Sequence, residues 1–179
     1  GDDAFEPMLV GHQSLPRGPA QLRRRQRLRG ADHRTLQADA HAEVFVCNLE
    51  EAQRILNTEE TDVKKLMDMI HELGPKIVSI TDGMNGAYAR DTDGLHWFMP
   101  IYPNSPTGPV ERTGAGDAFT STFAVALSLG KSVPDALLWG PINSMSVTEQ
   151  IGAQKGLLTQ EQLLAYLAKA PADYKAKQL

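Results

Sequence analysis

From Val44 onward, short apolar runs alternate with stretches whose apolar residues recur at helical spacing, and that alternation limits the chain to a layered α/β architecture. Val44-Phe45-Val46-Cys47 is a run of β-formers and reads as a buried strand. Glu50 to Leu56 reads as a short helix. Thr61 starts a clearer one, with Val63, Leu66, Met67, Ile70 and Leu73 on one face and Gly74-Pro75 as its stop. Lys76 to Ile80 follows as a central strand. Gly86 to Arg90 and His96 to Ile101 read as paired strands around the Asp91-Thr92-Asp93-Gly94 turn. Pro103 to Pro109 is too rich in proline for either element. Three helices are expected after it: Ala118 to Leu129, ending at Gly130; Pro134 to Ser146, with proline in its first turn; and Gln160 to Ala170, capped by Thr159.

Residues 1–43 are unlike the rest. Seven arginines lie between Arg17 and Arg34, and no lysine precedes Lys64. From Lys64 on, eight lysines accompany only Arg90 and Arg112, so basic usage changes along the chain. Residues 11–43 also lack a sustained apolar period, and such a segment buries too little surface to offset the entropy of ordering it. It reads as a solvated tail or as out-of-frame translation of a gene that elsewhere encodes ordinary protein. An arm binding nucleic acid is the weaker reading, because no aromatic residue interleaves the arginines. The expected division is therefore an atypical 1–43 and a patterned 44–179.

With 179 residues the chain has room for one domain core but little for two. A formal net charge of -4 gives no general attraction to nucleic acid or an acidic membrane. Cys47, the single cysteine, excludes an internal disulfide and suits a reducing cytosol. No stretch approaches the roughly 20 apolar residues of a membrane span, and Gly1 to Val10 lack the basic start of a secretory signal. A cytoplasmic location is expected.

Thr113-Gly114-Ala115-Gly116-Asp117-Ala118-Phe119 is the most informative stretch. A turn of small residues lets backbone approach a ligand, and the helix that follows aims its unpaired N–H groups and positive dipole end at the same place. That arrangement favours anions, phosphate above all. An aspartate at such a helix start can take a proton from a substrate hydroxyl while the amides stabilise charge on a transferring phosphoryl group. Taken alone, the four residues Gly-Ala-Gly-Asp are more often a turn and a helix cap.

The longer stretch Glu111 to Phe119 resembles the signature of the PfkB, or ribokinase-like, carbohydrate and nucleoside kinases. The resemblance implies that Asp117 is the catalytic base and that Gly114, Ala115 and Gly116 form an anion hole, with Thr113 beside the nucleotide. Asn48-Leu49-Glu50-Glu51 matches the family's Asn-x-x-Glu element, which implicates Asn48 and Glu51 in placing magnesium and phosphate. Thr81-Asp82-Gly83-Met84-Asn85-Gly86 is similar to the turn lining the ATP site, implicating Thr81, Gly83 and Gly86. Asn143 lies in a helix that in the family packs near the adenine. Each has a plainer reading: Asn48 and Glu51 as a helix cap, Thr81 to Gly86 as a hairpin turn, Asn143 on a solvent face.

What the resemblance implies as a whole is a ribokinase-like layered α/β domain with a mostly parallel central sheet, truncated at its amino terminus. Its activity would be ATP- and Mg²⁺-dependent phosphoryl transfer to a hydroxyl of a sugar or nucleoside. The alternative is a nucleotide-binding module without catalysis. Two departures stand out. Glu111 and Arg112 replace a common aspartate and threonine, which removes the expectation of a monovalent-cation site. Nothing in residues 1–43 resembles the half of the family that binds the acceptor, and the face such a half would cover is expected to favour a homo-oligomer. Other chemistries lack their residues: there is no Walker-type Gly-x-x-x-x-Gly-Lys loop, no Gly-x-Ser-x-Gly elbow, and the five histidines lack metal-ligand spacing.

Overall fold

Successive side chains along a strand face opposite sides of a sheet, and here both sides are covered. The structure, a computed structural model, describes residues 42–103 and 108–179. Most of the atypical 1–43 segment, and residues 104–107 of the proline-rich loop, lie outside the described residues. Strand β1 (Val44–Asn48) turns directly into α1 (Leu49–Leu56), which is followed by α2 (Val63–His71) and β2 (Ile77–Thr81). Then come β3 (Ala87–Arg90), β4 (His96–Met99), α3 (Ala115–Ser128), α4 (Val133–Thr148), α5 (Gln160–Ala168) and β5 (Lys177–Gln178). The strand order in the sheet is β1-β2-β3-β4-β5.

The β1–β2 pair is parallel, in a register running from Val44 opposite Ile77 to Asn48 opposite Thr81. The expectation of a mostly parallel sheet applies to this pairing, whereas β2–β3, β3–β4 and β4–β5 are antiparallel. The reason is connection length. Two helices separate β1 from β2, enough for a crossover, while short turns join β2 to β3 and β3 to β4. At the second of these turns Asp91 accepts from the N–H groups of Asp93 and Leu95, and its other oxygen accepts from Trp97 Nε1 at 2.8 Å.

Phe45 and Cys47 on β1, Val78 and Ile80 on β2, and Tyr88 on β3 meet Leu66, Met67 and Ile70 of α2 on one face. On the other face Val44, Val46, Ile77, Ala87, Ala89 and Met99 meet α3 and α4 through Phe119, Phe123, Leu137 and Ile142. Burial of side chains such as Phe123 and Leu66 is each worth about 1.5–3 kcal/mol relative to exposure, which makes these two layers the main stabilising feature.

Local signals set the helix ends. Asn48 and Glu51 form a reciprocal capping box on α1, and Asn57 closes that helix at φ 49°. The Asp62 side chain caps α2, and Thr159 with Gln162 caps α5. Pro141 interrupts the interior of α4, and on the turn it disturbs, Leu138 O accepts from the Tyr174 hydroxyl at 2.7 Å. Burial raises the pKa of that phenol, with Tyr102 stacked edge-on at 4.9 Å as a lesser cause. This anchor fixes the carboxyl-terminal segment, where β5 adds to β4. Among the described residues no helix is long and apolar enough to cross a membrane.

Candidate active site

The carboxyl end of β2, the turn after it, the start of α3 and one face of α4 surround a cleft of about 230 Å³. From the β2 turn come Thr81, Gly83, Met84 and Gly86; from α3 come Ala115, Gly116 and Phe119. The α4 contribution is a stripe of Pro141, Ser144, Met145 and Thr148, spaced i, i+3, i+4, i+7. Carboxyl ends of strands are where α/β sheets hold ligands, because helix amino termini gather there.

The start of α3 is shaped by Gly114, the N-cap residue, at φ 84°. That left-handed backbone favours glycine, and a Cβ there would lie 2.7 Å from Ala153. Gly114 is therefore a packing residue that lets the turn approach the segment after α4. Gly116 differs: a Cβ on it would meet nothing within 4 Å. Ala115 N–H bonds Arg112 O at 3.3 Å and Ala118 N–H bonds Gly114 O at 2.9 Å. The N–H groups of Gly116 and Asp117 have no acceptor among the described residues. Two bare amides thus stand at the helix start beside the cleft.

Asp117 is exposed and does not line the cleft. Its side chain belongs to the open face of α3, shared with Gly116, Thr120 and Ser121, while Ala118 and Phe119 turn inward. Gly116 lines the cleft, and Asp117, the next residue, is exposed beside it. Thr113 is also outside the cleft, and its hydroxyl bonds the Glu111 carboxylate. Glu111 Oε2 accepts from Gly152 N–H at 2.9 Å, and this bond, then the Thr113 hydroxyl, hold the carboxyl below the usual glutamate range. Glu111 is thus committed to tying the turn down.

Asn143 does not reach the cleft. It is buried, its Nδ2 donates to Thr122 Oγ1 at 2.7 Å, and its Oδ1 accepts from Leu158 N–H at 3.0 Å. Its neighbours Ser144 and Met145 face the cleft instead. Gly86 lines the cleft and also brings two strands together, since a Cβ there would collide with Met99 O.

Asn48 and Glu51 sit at the end of β1, where Asn48 pairs in register with cleft-lining Thr81. Asn48 Oδ1 accepts from Glu51 N–H at 2.8 Å and Glu51 Oε2 from Asn48 N–H at 2.9 Å, so each already has a structural task. Glu51 remains exposed. Among the described residues no group of three or more His, Cys, Asp or Glu side chains could hold a metal ion alone. Of the pair, Glu51 offers the exposed carboxylate, the kind of oxygen ligand a hard cation takes.

Comparison with known proteins bears on the family and the fold. The chain is 34% identical over 92 residues to the ribokinase of Bacillus subtilis, covering 51% of this chain and 30% of that protein. It is 31% identical over 113 residues to the cytidine kinase of Thermococcus kodakarensis, covering 63% and 39%. Among solved structures, Arabidopsis thaliana ribokinase complexed with ribose and ATP superposes with a TM-score of 0.67 at 25% identity, over 74% of this chain and 43% of that one. The Thermotoga maritima ribokinase gives a TM-score of 0.65 at 26% identity, with 74% and 44% covered. The fold is thus ribokinase-like, and the chain spans about a third of the length of the curated relatives it matches. The family match runs over residues 24–160, beginning inside the arginine-rich segment, and on that extent the chain belongs to the pfkB family of carbohydrate kinases.

Proposed function

We propose that this chain binds ATP in the cleft and transfers its γ-phosphoryl group to a hydroxyl of a sugar or nucleoside. The observation that carries the reading is the start of α3: two amides, on Gly116 and Asp117, have no acceptor among the described residues and adjoin a mostly apolar cleft and an exposed carboxylate. A cleft of about 230 Å³ is smaller than the ~300–1,000 Å³ of drug-sized ligand sites. On this reading the cleft takes part of the nucleotide, with the phosphate chain against the amides.

On this reading the acceptor approaches from the open face of α3. Asp117 takes the proton of its hydroxyl, the oxygen attacks the γ-phosphorus, and ADP leaves into the cleft. The Gly116 and Asp117 amides stabilise charge on the transferring group, and Ala115 and Gly114 shape the turn that presents them. Thr81, Gly83 and Gly86 form the opposite wall. Mg²⁺, when bound, neutralises phosphate charge, with Glu51, and Asn48 through the cap that orients it, as the protein groups on its side. The names of the relatives, ribokinase and cytidine kinase, support a sugar or nucleoside acceptor.

The test is Asp117→Asn. Phosphoryl transfer over a panel of sugars and nucleosides should fall about 10²–10⁴-fold, the usual contribution of a general base. ATP affinity by calorimetry should stay within about threefold, and unchanged turnover would remove Asp117 from the reaction. A second reading, ATP binding without transfer, is favoured by the position of Asp117 outside the cleft lining. ATP binding with no turnover on any acceptor selects that reading.

A further inference from the structure

We infer that Arg112 is the cationic contact for the phosphate chain of the bound nucleotide, an inference that rests on the ATP reading above. Arg112 is the one charged residue among the described residues lining the cleft; the rest of the lining is apolar, glycine, or hydroxyl-bearing. A nucleoside di- or triphosphate brings several negative charges to that site, and two amides with a partial helix dipole do not balance them. The guanidinium is exposed, and no described carboxylate, carbonyl or ring bonds it. The obvious partner, adjacent Glu111, is instead held by Gly152 N–H and the Thr113 hydroxyl. Arg112 therefore keeps its whole fork of donors for a ligand.

Its position is fixed by its backbone rather than its side chain. Arg112 O accepts from Ala115 N–H, closing the turn that starts α3, while Glu111 N–H bonds Thr148 O at 3.1 Å at the end of α4. The side chain thus leaves from a tied-down turn, three residues before the helix whose bare amides border the same cleft. A planar guanidinium bonds two phosphate oxygens at once, which lysine, a single point charge, does not reproduce.

The experiment is calorimetry on the full chain with adenosine, ADP and ATP, comparing wild type, Arg112→Ala and Arg112→Lys at two salt concentrations. Arg112→Ala is expected to weaken ADP and ATP binding by roughly 10- to 100-fold and to leave adenosine within about twofold, with a shallower salt dependence. Arg112→Lys is expected to recover part of the loss. Because the Arg112 side chain has no partner among the described residues, circular dichroism and melting temperature should not change, so a folding defect is separable from a lost contact. Equal ADP and ATP affinity in wild type and Arg112→Ala overturns the assignment while leaving the ATP site standing. Wild-type protein that binds none of the three ligands overturns both. Equal losses for adenosine and ATP mean that Arg112 shapes the cleft rather than contacts phosphate, and that result also overturns it.

Discussion

Asparagine at position 143 illustrates how one residue type can serve ligand or core, depending on which way its helix faces. Its amide is satisfied at both ends, by Thr122 and by Leu158 N–H, so it fastens α3 and the segment after α4 to the core. Replacing it with leucine would leave a buried hydroxyl and a backbone N–H unpaired, at a cost of about 2–4 kcal/mol. Asn143→Leu should therefore lower the denaturation midpoint clearly, while the folded protein keeps its ATP affinity in calorimetry. A selective loss of ATP binding at unchanged stability would return Asn143 to the nucleotide site. Asp117 is the opposite case, exposed and without an ion pair among the described residues, as a group kept available for a substrate should be.

The start of α3 separates two glycines that look alike in the sequence. Gly114 combines a positive φ with close approach to Ala153, so Gly114→Ala strains the backbone and drives a methyl into a neighbour. A loss of about 2–4 kcal/mol is expected in urea denaturation, with the proposed anion site damaged indirectly. Gly116 has open space where its Cβ would lie, and it sits in the first turn of the helix. Gly116→Ala should fold with stability within about 1 kcal/mol of wild type yet bind ATP more weakly, because the methyl enters the space proposed for the phosphates. If both variants behave alike in denaturation and binding, this division of labour is wrong. The capping box of α1 gives the same lesson at β1, where Asn48 and Glu51 shape a helix end before they serve any ligand.

At the scale of the molecule, the cleft exists because α3 and α4 pack on one sheet face while the turn after β2 borders it at the strand ends. A ligand that binds only this folded arrangement must stabilise it. ATP at about a hundred times its dissociation constant should add about 2.7 kcal/mol, equivalent to a rise of roughly 5–10 °C in melting temperature for a chain of this size. Thermal melts with ATP, with GTP and with adenosine measure this directly. No rise with any nucleotide would sink the nucleotide site itself. The carboxyl-terminal anchor belongs to this scale too: Tyr174 and β5 close over α4 and β4 from the far end of the chain.

Much of the fold was legible because it is local. The β1 run, the α2 stripe, the Asp91-to-Gly94 turn and the Thr159 cap each depend on neighbours within a few residues, and the structure has them where periodicity and turn chemistry put them. The helix after Thr113 begins at Ala115, slightly earlier than its apolar pattern, because its first turn is made of small polar and glycine residues. Strand β5 left no signal: two polar residues form a strand only because the edge of β4 offers partners. The Gly-Ala-Gly-Asp stretch and its order relative to Thr81 and Asn48 were sufficient to indicate the family. Which side chains meet was decided by tertiary structure alone. Asn143 facing Thr122, the Ser144 to Thr148 face opposite Gly83, Glu111 turning to Gly152 and Arg112 left facing the cleft all depend on how helices rotate when they pack. Rotation is set by contacts between residues far apart in sequence, and no local pattern encodes it.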